Sequence, residues 1–258
     1  MKASIRWARG LLLFACAAAV GVGRAQSRQI VSIRGHQQTL HLYGPPSGDP
    51  IVLSSGDGGW IHLGPHVAEL LAAQGYFVVG FDAKEYLASF TSGKTTLRAQ
   101  DESRDYRVLV EFAASVTRRK PILVGVSEGA GLSLLAATDP ETKGTVAGVI
   151  GVGLPDLNEL GWRWKDSLIY LTHRVPDEPT FSAAAIVDRV APLPLAEIHS
   201  TEDKFVPLPV VQKLLRNAGD PKKLWIVRAS DHRFSDNLAE FDKRLIEALL
   251  WVRQNTPR

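Results

Sequence analysis

The chain has 258 residues, 45% of them hydrophobic, enough for one sizeable domain with a core of its own. Its 30 basic and 27 acidic residues give a formal charge of +3, too small an excess to imply a nucleic-acid partner. The sequence has no low-complexity tract or fixed-period repeat, which excludes fibrous and solenoid architectures.

In chain order the N-terminus comes first. MKASIRWARG carries Lys2, Arg6 and Arg9 and no acid, the apolar run LLLFACAAAVGV follows, and Gly23 and Ala25 supply the small residues a signal peptidase reads. This pattern predicts a secretory signal peptide over 1–25 and a mature domain over 26–258, periplasmic or secreted. The apolar run is too short to cross a bilayer as a stable helix. An N-terminal membrane anchor and lipidation at Cys16 are the alternatives. Cleavage after Ala25 removes Lys2, Arg6, Arg9 and Arg24, leaving 26 basic against 27 acidic residues. It also removes Cys16, the only cysteine, so the exported domain has no disulfide and relies on its core.

Residues 29–43 alternate apolar and polar about a glycine turn and predict a β-hairpin. PIVLSS (50–55) reads as a buried strand running into a glycine cluster, PHVAELLAAQG (65–75) as a helix stopped by Gly75, and FVVGFDA (77–83) as the next strand. A helix over 95–120 gathers Leu97, Tyr106, Leu109, Val110 and Phe112 on one side. Strands at 121–126, 146–155, 193–200 and 223–229 are interleaved with helices at 128–138, 207–217 and 236–253. Continuous apolar strands alternating with helices predict a doubly wound, mostly parallel α/β sheet covered on both faces. In such sheets chemistry gathers at the carboxyl ends of the strands. Residues 156–192, rich in aromatics and prolines, break the rhythm. They read as a cap-like insert over the strand ends, or as an excursion packed on the flank. SGKTT (92–96) imitates the end of a P-loop, but Ala88 stands where the pattern needs glycine, and the stretch lies well past its strand.

Within PILVGVSEGAG, Gly125-Val126-Ser127-Glu128-Gly129 matches G-x-S-x-G. The motif alone is weak; a buried strand before it and a helix after it make the context of a nucleophile elbow. A serine hydroxyl needs a base, and the base needs an orienting acid. In an α/β-hydrolase fold both follow the serine, acid first. AEIHSTEDKFVP supplies Asp203, just past a strand, and WIVRASDHRF supplies His232, on the loop before the last helix. Glu202 competes for the acid role; Asp231 adjoins His232 and would struggle to face its ring. His199, inside a strand, reads as a core histidine. His62 and His66 have i,i+4 spacing, but Pro65 intervenes and no acidic ligand is evident, so no metal site is predicted. The oxyanion donors expected are the N–H of Glu128 and that of Asp57 or Gly58 in SSGDGGW. Trp60 beside them is a candidate wall of the substrate pocket. This chemistry requires no cofactor and no metal.

IVLSSGDGGW, FVVGFDAKEYLASFTSGKTT and ILVGVSEGAG together resemble the VirJ/AcvB-type bacterial virulence-protein family of periplasmic α/β-hydrolases, over residues 48–254 and least through the insert. The resemblance implies that Ser127, Asp203 and His232 form the catalytic trio. It also implies a candidate substrate, the aminoacyl ester of the envelope lipid lysyl-phosphatidylglycerol. The chain departs from the family pattern at Glu128, where an aromatic is usual, and at Gly131, where an Asp is usual. The functional expectation is an exported serine hydrolase of a small-molecule or lipid ester, touching a membrane surface and using no nucleic acid. A carboxylate at Glu128 would suit a cationic acyl group such as a lysyl amine. The alternatives are a non-catalytic binding or secretion-accessory protein on the same scaffold, and a peptidase marked by amide turnover.

Overall fold

The computed structural model describes residues 27–164 and 178–257. The expected signal peptide and residues 165–177 of the insert lie outside them. Strands β1 (Ser27–Ile33) and β2 (His36–Tyr43) form the predicted hairpin. Its turn holds Arg34 at φ 48° and Gly35 at φ 88°, the paired left-handed conformation whose twist matches the flanking strands. β2 then pairs antiparallel with β4 (Phe77–Phe81).

From β4 onward every pairing is parallel, through β3 (Pro50–Ser54), β5 (Ile122–Val126), β6 (Gly148–Val152), β9 (Leu195–Ser200) and β10 (Lys222–Val227). The sheet order is β1-β2-β4-β3-β5-β6-β9-β10. β3, β4, β5 and β6 are buried at every residue, which is why they read as unbroken apolar runs.

Alternate residues of these strands enter two cores. Ile51, Val78 and Val124 meet α1 (Leu63–Ala73) through Val67 and Leu71, and the last helix, α7 (Leu238–Asn255), through Phe241 and Leu249. Val52, Val79 and Leu123 meet Tyr86 of α2 (Ala83–Phe90), Leu109 of α3 (Ala99–Thr117), Leu132 of α4 (Glu128–Thr138) and Leu214 of α6 (Leu208–Asn217). A short α5 (Pro140–Lys143) follows α4, capped by the Asp139 side chain. Each fully buried Leu or Ile stabilises this two-faced packing by roughly 1.5–3 kcal/mol.

Several boundaries differ from the sequence reading, among them β6, expected over 146–155 and observed over Gly148–Val152. The strand expected over 77–83 ends at Phe81, because Asp82 turns to accept the Glu85 N–H at 3.0 Å and caps α2, a helix the sequence reading left out. The helix expected from 95 begins at Ala99, since its N-cap Arg98 is still extended and Leu97 donates its N–H to the Leu160 carbonyl at 2.8 Å. The described parts of the insert form a two-stranded ribbon, β7 (Leu157–Glu159) with β8 (Thr180–Ser182), and two 3-10 turns. Ala183, Ile186, Val187 and Val190 of those turns are buried in the core, so this end of the insert is packed on the flank. Leu157 and Glu159, at its other end, line the pocket over the strand ends.

Candidate active site

The nucleophile candidate stands between β5 and α4. Ser127 has φ 51° and ψ −116°, a conformation that a residue with a β-carbon holds only under tertiary constraint. The constraint is visible on both sides. Its N–H donates to the Val152 carbonyl of β6 at 2.8 Å, and its carbonyl accepts from Ala130 at 2.8 Å. A Cβ on Gly125 would lie 2.1 Å from the Gly129 carbonyl oxygen, and one on Gly129 would lie 2.3 Å from the Ser55 carbonyl oxygen. The two glycines of the motif thus let α4 start hard against β5 and β3.

Asp203 and His232 come together from separate loops. Asp203 Oδ1 accepts the N–H groups of Phe205 and Val206, both at 2.9 Å, and Oδ2 faces His232 Nδ1 at 2.5 Å. Burial alone would push this carboxyl up. The hydrogen bond and charge of His232, the Val206 amide and the nearby His199 outweigh it, and the group sits below its ordinary range. A carboxylate on Nδ1 fixes the proton there and leaves Nε2 with a lone pair. Nε2 is buried and has no hydrogen-bond partner among the described residues, so no bond joins it to Ser127 in this state. Both side chains line the same pocket.

Asp57 and Gly58 reach that pocket from the loop after β3, and Glu128 opens α4, where backbone N–H groups lack intrahelical partners. The Glu128 side chain is 5% exposed and accepts the Glu159 N–H at 2.7 Å. Desolvation, then the charges of Glu159 and Asp57, push its carboxyl well above the usual range against the pull of that amide. The pocket therefore gathers the carboxyls of Asp57, Glu128 and Glu159 beside apolar Val126, Leu157 and Val206.

The competing residues fall elsewhere. Glu202 is exposed. Asp231 folds onto its own loop, accepting the N–H groups of Arg233 and Ser235. His66 pairs with Asp242 at 2.7 Å, and the described residues contain no cluster of three metal-ligating side chains. Trp60 corrects the sequence reading. It does not wall the pocket but packs over β4, where Gly80 gives it a seat: a Cβ there would stand 2.2 Å from the indole. The ring stacks on His41 at 4.9 Å, and Nε1 donates to the Tyr43 hydroxyl at 3.3 Å.

The sequence reading missed Gly153, Glu159, Phe205 and Val206. Gly153, at φ 66°, lies against the imidazole: its Cβ would stand 2.5 Å from His232 Cε1. Its only signal was a glycine at the end of a buried strand. Gly131, one of the departures from the family pattern, has a local cause, for a Cβ there would stand 1.8 Å from Asn158 Oδ1.

No curated protein sequence matches the chain. Solved structures do. An α/β hydrolase from Penicillium sp. sh18 superposes with a TM-score of 0.66 at 14% identity, covering 89% of this chain and 99% of its own. A membrane phospholipase A described as a bacterial virulence factor gives 0.63 at 14% identity, covering 91% and 88%. A monoacylglycerol lipase of Paleococcus ferrophilus gives 0.60 at 16% identity, covering 86% and 100%. At these identities the likeness is one of fold. Residues 50–156 match the profile of the bacterial virulence protein (VirJ) family, a stretch running from β3 through the elbow to the start of the insert. Across those residues the chain carries the signature of the VirJ family, set in an α/β-hydrolase fold.

Proposed function

We propose that this protein is an exported serine hydrolase that cleaves an ester. The observation that carries the reading is the 2.5 Å contact between Asp203 and His232, which leaves Nε2 as an acceptor in the pocket that holds a strained Ser127. His232 Nε2 takes the Ser127 proton as Oγ bonds to the ester carbonyl carbon. The N–H groups of Glu128 and of Asp57 or Gly58 hold the resulting oxyanion. The imidazolium then returns the proton to the leaving alcohol as the C–O bond breaks, giving an acyl-serine. Water repeats the sequence and frees the acid. Asp203 stays ionised throughout and keeps the ring in the required tautomer.

The resemblance to the VirJ/AcvB-type family implies, as the candidate substrate, an aminoacyl ester of an envelope lipid such as lysyl-phosphatidylglycerol. Asp57, Glu128 and Glu159 support it, because a lysyl ammonium entering among three carboxyls would be held electrostatically and would favour the charged form of Glu128. Export rests on the basic-apolar-small pattern of the first 25 residues.

The test is hydrolysis of a small chromogenic ester by the mature protein and by Ser127→Ala, with lysyl and neutral acyl groups compared. Turnover lost by about 10⁴-fold or more in the variant is expected, with the lysyl ester preferred. Equal turnover of both esters removes the cationic-substrate argument. No turnover by either protein, with the fold intact, removes the enzyme and leaves the accessory-protein reading.

A further inference from the structure

Behind the proposed catalytic acid lies a buried ionisable pair that the reaction does not use. Glu197 and His199 alternate onto one face of β9, and both side chains have 0% exposure. Such groups are costly to bury and persist where their partners hold them. Glu197 Oε1 accepts the Leu154 N–H at 2.9 Å and lies 3.4 Å from His199 Nδ1. Gly151 makes room for this carboxyl, since a Cβ there would stand 2.2 Å from Oε2. On its other side, His199 Nε2 donates to the Val206 carbonyl at 2.8 Å and lies 3.8 Å from Asp203 Oδ2.

These contacts end on the two segments that shape the acid and the base. Leu154 directly follows Gly153, against which the His232 ring rests. Val206 closes the loop whose Phe205 and Val206 amides hold Asp203 Oδ1. We propose that His199, braced by Glu197, is a positioning residue that fixes the 203–206 loop so that Asp203 presents Oδ2 to His232. The inference rests on the reading of Ser127, Asp203 and His232 as the reacting trio.

The charged groups acting on His199 are Glu197 on its own strand and Asp203 on the loop after it, with His232 beyond Asp203. β6, on one side, carries no titratable side chain. The lysines of β10, Lys222 and Lys223, pair with Leu195 and Ala196 at the far end of β9. α6 carries Lys213 and Arg216 on its exposed side. Desolvation disfavours a charge on His199, but Glu197, 3.4 Å from Nδ1, together with the Val206 carbonyl and Asp203 outweighs it and raises the group above the ordinary histidine range. His199 is thereby biased toward its protonated form.

Two variants test this. His199→Gln offers Val206 an amide donor but no charge; His199→Leu offers neither. With a small chromogenic ester, KM should stay within about twofold of wild type while kcat falls about tenfold in the first and about a hundredfold in the second. In His199→Gln, Asp203 loses a neighbour biased toward positive charge and stabilises protonated His232 more. The acid limb of kcat/KM should therefore move up by about half a pH unit. The downfield proton resonance of His232 Nδ1–H should shift or broaden in His199→Leu.

That resonance is also read in a Ser127→Ala background, so it decides the positioning claim even if ester hydrolysis proves wrong. Should His199→Leu fail to fold, His199→Gln carries the test alone through its kcat and pH profile. Folded variants with wild-type kcat, an unmoved acid limb and an unchanged resonance would overturn the proposal.

Discussion

Gly153→Ala is the sharpest test of the site geometry. The glycine lies just past β6 at φ 66°, and an added Cβ would stand 2.5 Å from His232 Cε1 and 3.0 Å from Nδ1. Carbons in contact sit about 3.5–4.0 Å apart, so the imidazole must move by about 1 Å or the β6 corner must yield. The ring cannot move without consequence, because Nδ1 is the atom that faces Asp203 Oδ2 at 2.5 Å. Misplacing a reacting group by about 1 Å costs on the order of 10²-fold in rate, which is about 2.7 kcal/mol of barrier. The left-handed backbone adds about 1 kcal/mol of strain for alanine, and overpacking adds about 1–3 kcal/mol, so stability should fall by roughly 2–4 kcal/mol. The assay pairs ester turnover with a denaturant titration, so that lost rate is read on folded protein. KM for a small ester should barely move, since the substitution touches the proposed base and not the binding walls. Turnover within about threefold of wild type, with the variant folded, would refute the reasoning. A ring that can be pushed aside without cost is not the base.

Two further outcomes concern buried groups away from the chemistry. Glu102 on α3 is fully buried with Oε1 unpartnered. Burial, then the charges of Asp105 and Asp139, push its carboxyl well up against the bond from Ser103. A folded-state value above the unfolded one means its stability contribution is whole below the unfolded value and is lost as pH rises through the folded one. Glu102→Gln should therefore gain on wild type as pH rises, by on the order of 1 kcal/mol at neutral pH and above. Denaturant midpoints taken across pH check this, and parallel curves would sink it. Gly131→Ala sets a methyl 1.8 Å from Asn158 Oδ1 and ejects a side chain whose Nδ2 donates to the Pro155 and Asp156 carbonyls at 3.0 and 3.2 Å. A loss of about 2–3 kcal/mol is expected. The double variant with Asn158→Ala should recover about 1 kcal/mol of it, and strict additivity in the cycle would count against the contact.

The chain order of the proposed trio was legible because each member sits next to a feature that one dimension records. Ser127 follows an unbroken apolar strand, Asp203 follows Ser200 at the end of β9, and His232 follows the last strand. α2 was also within reach, since Asp82 and Glu85 carry the three-residue spacing of a helix N-terminus. What stayed hidden is set by contacts between distant segments.

Trp60 adjoins Asp57 and Gly58, the expected oxyanion donors, in sequence, yet the space that takes its indole is made by Gly80 on β4. A glycine in the middle of FVVGF signals that something approaches closely, but not from where. Gly153 and Gly151 pose the same problem on β6 and just beyond it, one clearing room for His232 and the other for Glu197. A sheet-end active site is thus legible in the strand ends that carry its side chains. Its precision lies in glycines on the adjoining strands, whose purpose depends on which strand lies beside which. That order, β5-β6-β9-β10 around the candidate site, is a property of the crossovers and not of any local stretch.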